Sequence, residues 1–371
     1  MGLLLKFPKV VFDFGAIASL PAELAELGIA KPLFVTDKVL VGCGVFARAL
    51  DALPKKAALA VFDDTPENPT IAGVEKAYAL YREQECDGVV AVGGGSVIDS
   101  AKMVSLLARY PGPLSRYFGK PEMLTVPAAP LIAIPTTAGT GSEMSHSAGI
   151  HPEPHLPSDG IRSPQIAARV AICDPDLTMT LPPRLTAGTG MDALSHCIEG
   201  YLSIMVNPPL DAIALDGVGR VVSHIDRAVA DGRDREARWQ LMMAALDGGM
   251  AICKGLGPVH ALAITFGDRG FNHGILVTIA MPSVMRFMAD KVGDKMERLA
   301  AAMKIDSAGR VPGAIEAINA RIGLPASLRE LGYGDFDLDK AAADSANLHY
   351  AFSPCHPGRE DYRSMIREFA G

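Results

Sequence analysis

The stretch Gly88-Val-Val-Ala-Val-Gly-Gly-Gly-Ser-Val-Ile-Asp-Ser-Ala-Lys-Met-Val-Ser-Leu-Leu-Ala108 decides the fold. Its β-branched start, residues 88–92, predicts a buried strand, and residues 99–108 repeat apolar side chains with the period of a helix. The three glycines between them let the backbone approach a ligand closely, and the following helix N-terminus favours an anion. The loop is therefore typical of a pyrophosphate site, although three glycines alone also fit a plain tight turn.

Further features favour a dinucleotide over a nucleoside triphosphate. The glycine loop is not a G-x-G-x-x-G fingerprint, and it lacks the Lys-Ser/Thr ending of a P-loop. A second polar loop, Thr136-Thr-Ala-Gly-Thr-Gly-Ser142, follows another strand and offers hydroxyl and backbone donors. Asp37 ends a further strand, where a carboxylate accepts from a ribose 2′-hydroxyl and repels a 2′-phosphate, so NAD is favoured over NADP. The alternative for Asp37 is a side chain that opens the next turn or helix.

The alternation of strands and helices sets the fold class. Strands are predicted over 32–37, 88–92 and 130–134, with helices over 74–82 and 99–108, which indicates a parallel, doubly wound sheet. After Leu181-Pro-Pro183 the strands stop, and segments such as 235–245 and 291–301 predict successive helices. We therefore expect an α/β domain with a doubly wound parallel sheet over residues 1–182, followed by an all-α domain over 183–371.

Composition excludes several classes of protein. The 371-residue chain is 49% hydrophobic but holds no apolar run of membrane length, and its net charge of −7 comes without a basic run. We therefore expect neither nucleic acid nor a membrane as a partner. The N-terminal apolar run is too short for a secretory signal, so the expected location is the cytoplasm. The six cysteines form no C-x-x-C pair, which argues against a disulfide framework and predicts free thiols.

A candidate metal site begins in Gly190-Met-Asp-Ala-Leu-Ser-His-Cys-Ile-Glu-Gly200. Asp192 and His196 are four residues apart, so on a helix both side chains leave the same face about one turn apart. His260 and His273, further along the chain, complete a set of one aspartate and three histidines. An Asp-x3-His pair alone is weak evidence, because ordinary helices often contain one whose histidine is simply hydrogen-bonded.

Five ordered motifs, spread through nearly the whole chain, carry a resemblance to a known family. They are Gly93-Gly-Gly-Ser-Val-Ile-Asp-Ser-Ala-Lys102, Ile134-Pro-Thr-Thr-Ala-Gly-Thr-Gly-Ser-Glu143, Cys173-Asp-Pro-Asp-Leu-Thr178, Thr189-Gly-Met-Asp-Ala-Leu-Ser-His196 and Gly257-Pro-Val-His260. Together they resemble the iron-containing, or group III, alcohol dehydrogenases. The resemblance implies an N-terminal dinucleotide-binding domain, an all-helical C-terminal domain, a metal and a nicotinamide that meet between them, and a homodimer.

The resemblance also implies roles for individual residues. The metal ligands, which form the catalytic centre, fall on the set already reached from spacing, namely Asp192, His196, His260 and His273. The cofactor contacts fall on Asp37, Asn68, Gly94, Gly95, Ser96, Asp99, Thr136, Thr137 and Thr140. Fe²⁺ is the implied metal, and the ligand set suits Zn²⁺ as well.

Three departures from the family pattern concern substrate choice. Ile264 stands where relatives carry a second histidine four residues after the third ligand. The segment Leu156-Pro-Ser-Asp-Gly-Ile-Arg162 lacks a lysine that relatives place near the cofactor, and either Arg162 substitutes for it or nothing does. Three histidines, His146, His151 and His155, are interpreted as an exposed loop, with His146 the best candidate to face the cleft. We expect these departures to alter substrate choice while metal binding is kept.

The predicted function is a metal- and NAD-dependent oxidoreductase that interconverts a small alcohol with its aldehyde or ketone by hydride transfer. The metal acts as a Lewis acid on the substrate oxygen. One alternative is a lyase similar to dehydroquinate synthase, which the absence of a Lys/Arg cluster near the candidate ligands disfavours. Another is a non-catalytic NAD-binding protein whose activity was lost through Ile264. The sequence leaves the alcohol and the direction of flux open.

Overall fold

The protein is described by a computed structural model that covers residues 6–153, 156, 158–348 and 350–371. The chain divides into two compact units. The sheet unit comprises Leu5–Thr137 and Gly141–Thr180. The helical unit comprises Leu181–Gly371 together with the short segment Ala138–Thr140.

The sheet unit is built on a six-stranded parallel sheet. Its strands are β1 (Lys9–Phe12), β2 (Pro32–Val35), β3 (Ala60–Phe62), β4 (Gly88–Gly93), β5 (Leu131–Pro135) and β8 (Val170–Cys173). They lie in the order β1-β8-β5-β4-β2-β3, and every pair is parallel. Strands β6 (Ser147–Ile150) and β7 (Asp159–Arg162) form a separate antiparallel hairpin. The predicted parallel sheet is confirmed, and the hairpin is an addition to it.

Helices cover both faces of this sheet. They are α1 (Leu20–Glu26), α2 (Lys38–Gly42), α3 (Val45–Asp51), α4 (Ile71–Glu83) and α5 (Gly95–Arg109). Alternate strand residues serve different cores: Phe34 packs with α1 and α3, whereas its neighbours Leu33 and Val35 pack with α4 and α5. Because both faces are buried, the central strands are continuous apolar runs without a polar side. The sheet is therefore doubly wound, as predicted.

In the helical unit, every long regular element of the described residues is an α-helix. The helices are α6 (Pro183–Leu202), α7 (Pro208–Ala230), α8 (Arg235–Ala251), α9 (Pro258–Thr265), α10 (His273–Met288), α11 (Asp294–Ala302), α12 (Val311–Arg321), α13 (Leu328–Leu331), α14 (Leu338–Asn347) and α15 (Arg359–Ala370). Helix α6 lies at the centre and packs against α7, α8 and α10. The predicted fold class, an α/β part followed by an all-α part, is confirmed.

Glycines allow α6 to approach its neighbours closely. A Cβ atom built on Gly200 would lie 2.6 Å from the carbonyl oxygen of Ala251 at the end of α8. A Cβ on Gly274 of α10 would lie 2.3 Å from the carbonyl oxygen of Gly188 in α6. The two contacts therefore require glycine, and they hold α8 and α10 against the helix that carries the candidate ligands.

Two expectations from composition concern the whole described chain. None of its helices combines the length and the apolar character needed to cross a membrane. None of the six cysteines, which all lie in the described residues, forms a disulfide, and Cys86, Cys173, Cys197 and Cys253 are buried. The prediction of thiols without a disulfide framework is therefore confirmed.

Candidate metal centre and dinucleotide loops

Helix α6 presents three functional side chains on one face. It begins with proline at its first position, where no backbone N–H is needed, and runs for 20 residues. Asp192, His196 and Glu199 follow one another at intervals of four and three residues, so they stack along the same side. All three side chains are buried. This face is therefore polar although it lies inside the unit.

The other two candidate ligands come from the starts of α9 and α10. His260 is the third residue of α9, which also opens with a proline. His273 is the first residue of α10, and the side chain of Asn272 caps that helix by accepting from the N–H of Ile275 at 3.4 Å. Each histidine is thus fixed within one turn of a helix N-terminus.

The structure brings all four predicted ligands together around one carboxylate oxygen. The distances from Oδ1 of Asp192 to Nε2 are 3.6 Å for His196, 3.9 Å for His260 and 4.0 Å for His273. The candidate donor atoms of Asp192, His260 and His273 all lie within 4.8 Å of one another. Residues from three helices therefore surround a single point.

The residues of this cluster fit a divalent cation. Oδ1 of Asp192 and Nε2 of His260 are buried, and neither has a hydrogen-bond partner among the described residues. Two buried polar atoms without partners destabilise the fold by about 1–3 kcal/mol each unless something binds them. A metal ion held by Asp192 and the three imidazoles would satisfy both atoms, and such a donor set suits Fe²⁺ or Zn²⁺.

The surroundings of the imidazoles affect their protonation differently. Burial lowers the pKa of His196, and the charge of Asp192 only partly opposes this. Burial also acts to lower the pKa of His260, but the hydrogen bond and charge of Glu199 outweigh it and raise the pKa. Burial lowers the pKa of His273 to about 4, although 46% of that side chain is exposed; the charge of Asp192 opposes this shift and the two neighbouring imidazoles add to it. Imidazoles bind metals only when neutral, so acid pH is expected to weaken metal retention.

Glu199 is a residue of this centre that sequence reasoning missed. Its Oε2 accepts from Nδ1 of His260 at 2.6 Å, and its Oε1 accepts from the backbone N–H of Val259 at 2.8 Å. The spacing of residues 192, 196 and 199 along one helical face was the available signal. The partner on α9 is far away in sequence, so the pairing itself was not visible.

The structure shows where Ile264 and the histidines that depart from the family pattern lie. Ile264 lies one turn after His260 on α9 and is half-buried, so an apolar group follows the ligand there. The interpretation of the three histidines as an exposed loop is wrong for His146. That ring is buried, bonds the carbonyl oxygen of Lys6 through Nε2 at 2.7 Å and stacks on Phe7. His151 bonds the carbonyl oxygen of Leu156, and His155 lies outside the described residues.

The glycine loop and the hydroxyl-rich loop lie side by side in the sheet unit. Gly94 is the N-cap of α5, and a Cβ atom built on it would lie 3.3 Å from the side chain of Thr137. Gly95 opens the helix, and the Ser96 hydroxyl donates to the carbonyl oxygen of Glu67. Thr136 is buried and donates its backbone N–H to Gly93. The ends of β4 and β5 therefore meet at the N-terminus of α5, which suits an anionic group.

The remaining predicted cofactor residues have partners of their own. Asp37 caps α2 by accepting from the N–H of Leu40 at 2.9 Å, which is the alternative that the sequence left open. Asp99 accepts from the N–H of Gly149 at 3.0 Å, and Nζ of Lys102 lies 3.4 Å from its other oxygen. Asn68 is half-buried before α4, and Thr140 belongs to the segment grouped with the helical unit. Their contacts with a dinucleotide stay predictions.

Comparison with known proteins agrees with both units. The family model described as iron-containing alcohol dehydrogenase matches residues 8–175, and its C-terminal counterpart matches residues 186–368. The chain is 43% identical to 4-hydroxybutyrate dehydrogenase of Cupriavidus necator, over 99% of this chain and 100% of that protein. Among solved structures, 1,3-propanediol oxidoreductase is 32% identical with a TM-score of 0.95, over 99% of both chains. Sulfoacetaldehyde reductase of Bifidobacterium kashiwanohense, in complex with NAD⁺, is 26% identical with a TM-score of 0.90, over 100% of both chains.

The motifs, the fold and these matches lead to one assignment. The expected family, oxidoreductase activity and cofactor class are all confirmed. The chain belongs to the iron-containing alcohol dehydrogenase family and is an alcohol oxidoreductase whose cofactors are NAD and Fe²⁺.

Proposed function

We propose that Asp192, His196, His260 and His273 hold the metal and form the catalytic centre of this alcohol oxidoreductase. The observation that supports the proposal most strongly is the pair of buried, unpartnered atoms, Oδ1 of Asp192 and Nε2 of His260. They lie 3.9 Å apart, and both carry lone pairs when His260 donates through Nδ1. Such an arrangement is unfavourable without a cation between the two atoms.

The four proposed ligands differ in charge and in exposure, and both properties bear on the reaction. When bound, the divalent metal would supply Lewis-acid chemistry to the alcohol or carbonyl oxygen, and the nicotinamide would supply or accept the hydride. Asp192 supplies the only negative charge among the four ligands. The side chains of Asp192, His196 and His260 are at most 6% exposed, whereas His273 is 46% exposed. Within the helical unit, substrate therefore reaches the cluster from the side of His273.

We propose that the loops at the N-terminus of α5 bind the dinucleotide. Gly94, Gly95 and Ser96 would place backbone N–H groups around the pyrophosphate, and Thr136 and Thr137 would border it from the adjacent strand end. We propose the predicted contacts with the dinucleotide for Asn68, Asp99 and Thr140 as well. For Asp37 we propose the predicted selection of NAD over NADP. The presence of NAD⁺ in the related sulfoacetaldehyde reductase supports this cofactor.

A short alcohol with a distal carboxylate is the substrate class that we propose. The support is the identity of 43% with a 4-hydroxybutyrate dehydrogenase over nearly the full length of both chains. The substrate named for that relative, 4-hydroxybutyrate, is a primary alcohol with a carboxylate at the other end. We therefore propose 4-hydroxybutyrate and its semialdehyde as the first pair to test, in both directions of flux.

A homodimer is proposed for the protein in solution, on the strength of the resemblance to its family. Light scattering after size exclusion would measure the mass directly. A mass near the 39.1 kDa of one chain would contradict the proposal.

Substitution of His260 by alanine tests the ligand set. His260→Ala is expected to lose bound metal and at least 100-fold in turnover, measured by metal analysis and by NADH absorbance with 4-hydroxybutyrate and other short alcohols. His224→Ala is the matched control, because His224 lies on α7 and bonds the carbonyl oxygen of Arg220. If His260→Ala keeps its metal and its rate, the assigned ligands are wrong.

A further inference from the structure

We propose that Glu199 is a positioning residue that holds His260 in the tautomer able to bind the metal. The inference rests on the proposed ligand set and extends it by a residue that does not itself contact the metal. Glu199 would act through His260, whose ring it orients and whose proton it keeps on Nδ1. The lone pair of Nε2 then points toward Asp192.

Both oxygens of the Glu199 carboxylate are engaged. Oε2 lies 2.6 Å from Nδ1 of His260, and Oε1 lies 2.8 Å from the backbone nitrogen of Val259. A carboxylate accepts hydrogen bonds and donates none, so the ring nitrogen facing it must carry a proton. A neutral imidazole has one N–H, and Nε2 is therefore left as an acceptor.

The helices around Glu199 are arranged to accommodate it. Val259 is in the first turn of α9, where backbone N–H groups have no partner within the helix, so the carboxylate also caps that helix. A Cβ atom on Gly257 would lie 2.9 Å from Oε1, so the glycine leaves room for the carboxylate. Helix α6 thus supplies two ligands and the group that orients a third.

Glutamine has nearly the same shape as glutamate but no charge and only one acceptor oxygen. Glu199→Gln therefore tests the charge and the tautomer of His260 while the packing is kept. The amide has one oxygen, but two N–H groups, on His260 and Val259, require an acceptor. If the oxygen faces Val259, the NH₂ group faces Nδ1, which must then accept, and the ring proton moves to Nε2. If the oxygen faces His260, two donors oppose each other at Val259. The first arrangement satisfies every bond within the protein and blocks the metal.

The experiment measures metal affinity in the metal-free protein, apart from any turnover. Metal-free wild type, Glu199→Gln and Asp247→Asn are titrated with Co²⁺ against a chromophoric chelator, and the visible bands of bound Co²⁺ are recorded. Glu199→Gln is expected to lose 10–100-fold in affinity and to show altered bands at saturation, with the melting temperature of the metal-free protein little changed. Asp247 is a buried carboxylate of the same unit that lies 3.6 Å from Nε of Arg220, so Asp247→Asn should bind Co²⁺ as wild type does.

Equal Co²⁺ affinity and identical bands in Glu199→Gln and wild type would overturn the inference. Failure of wild type to bind Co²⁺ would instead contradict the ligand set. Should Glu199→Gln not fold, nitrogen-15 NMR of histidine-labelled, Zn²⁺-loaded wild type gives the answer. A slowly exchanging proton on Nδ1 of His260 and a metal bond at Nε2 are expected, and coordination through Nδ1 would refute the proposal.

Discussion

At the scale of single residues, two buried carboxylates of the helical unit, Asp192 and Asp247, differ in how their charge is compensated. Asp192 lies among three imidazoles, where a cation would compensate its charge. Asp247, on α8, has a buried Oδ2 without a hydrogen bond, and its nearest cation is Nε of Arg220 at 3.6 Å. Burial and the neighbouring Asp216 raise the pKa of Asp247 to about 7. The fold therefore tolerates this group most easily when it is protonated.

Asp247→Asn is expected to make stability less dependent on pH. Because the folded-state pKa lies above the ordinary value of 3.8, the folded protein binds more protons than the unfolded chain between these two values. Unfolding free energy contributed by Asp247 therefore falls as pH rises from about 4 to about 7. Asparagine mimics the protonated form, so the variant should gain on the order of 1–3 kcal/mol over wild type at pH 8 and little at pH 4. Melting temperatures at both values measure this, and parallel shifts of the two proteins would contradict it.

The residue types of the metal site were predictable, but their supporting contacts were not. Asp192 and His196 share a helical face at a spacing that the sequence shows, and His260 and His273 follow further along the chain, with His260 inside a family motif. Glu199 acts across to α9, and such a contact depends on how two helices pack. Asp37 shows that a residue's position in the sequence can fit two roles. A carboxylate after a strand suits both a ribose contact and a helix cap, and in the structure Asp37 forms the cap.

At the scale of elements, α6 depends on glycine for its contact with the end of α8. Gly200→Ala would force a methyl group to within 2.6 Å of the carbonyl oxygen of Ala251. We expect a loss of about 1–3 kcal/mol and weaker metal binding, because α6 carries two of the proposed ligands and Glu199. Gly219→Ala on α7 meets its nearest atom at 3.5 Å and should be neutral or stabilising by about 1 kcal/mol. Melting temperatures and Co²⁺ titrations of both variants test the difference, and equal behaviour would show that α6 has room to move.

The β6–β7 hairpin depends on a buried lysine. Nζ of Lys102, on α5, lies 2.6 Å from the carbonyl oxygen of Ser147 and 3.0 Å from the hydroxyl of Ser145. Lys102→Met keeps most of the apolar side chain but removes the charged donor from both acceptors, and the Ser147 carbonyl oxygen is left with only the Ser145 hydroxyl at 3.2 Å. A loss of about 2 kcal/mol is therefore expected. Limited proteolysis should cut the hairpin faster, whereas the exposed Lys56→Met should behave as wild type. Unchanged melting and cleavage in Lys102→Met would refute this role.

The elements that were not predicted share physical reasons. Strands β1, β3 and β8 have three or four residues each, which is too few for a periodic pattern to stand out, although β2, also of four residues, was predicted. The β6–β7 hairpin contains the polar run Asp159–Arg162, which is stabilised by pairing and by Lys102 more than by strand propensity. The longer strands β4 and β5 were predicted because burial on both faces leaves continuous β-branched runs.

At the scale of the whole molecule, metal and dinucleotide are expected to protect different parts of the chain. The proposed ligands lie on α6, α9 and α10, so a metal would join three helices that otherwise open independently. Zn²⁺ should therefore slow hydrogen exchange within residues 183–202, 258–265 and 273–288, and leave strands β4 and β5 unchanged. NAD⁺ added to the metal-free protein should instead slow exchange at residues 93–99, where backbone N–H groups face the proposed pyrophosphate. Mass spectrometry of peptides from the two loaded states resolves these segments. Metal protection spread evenly over the chain, or absent from α9 and α10, would mean that the cation is held elsewhere.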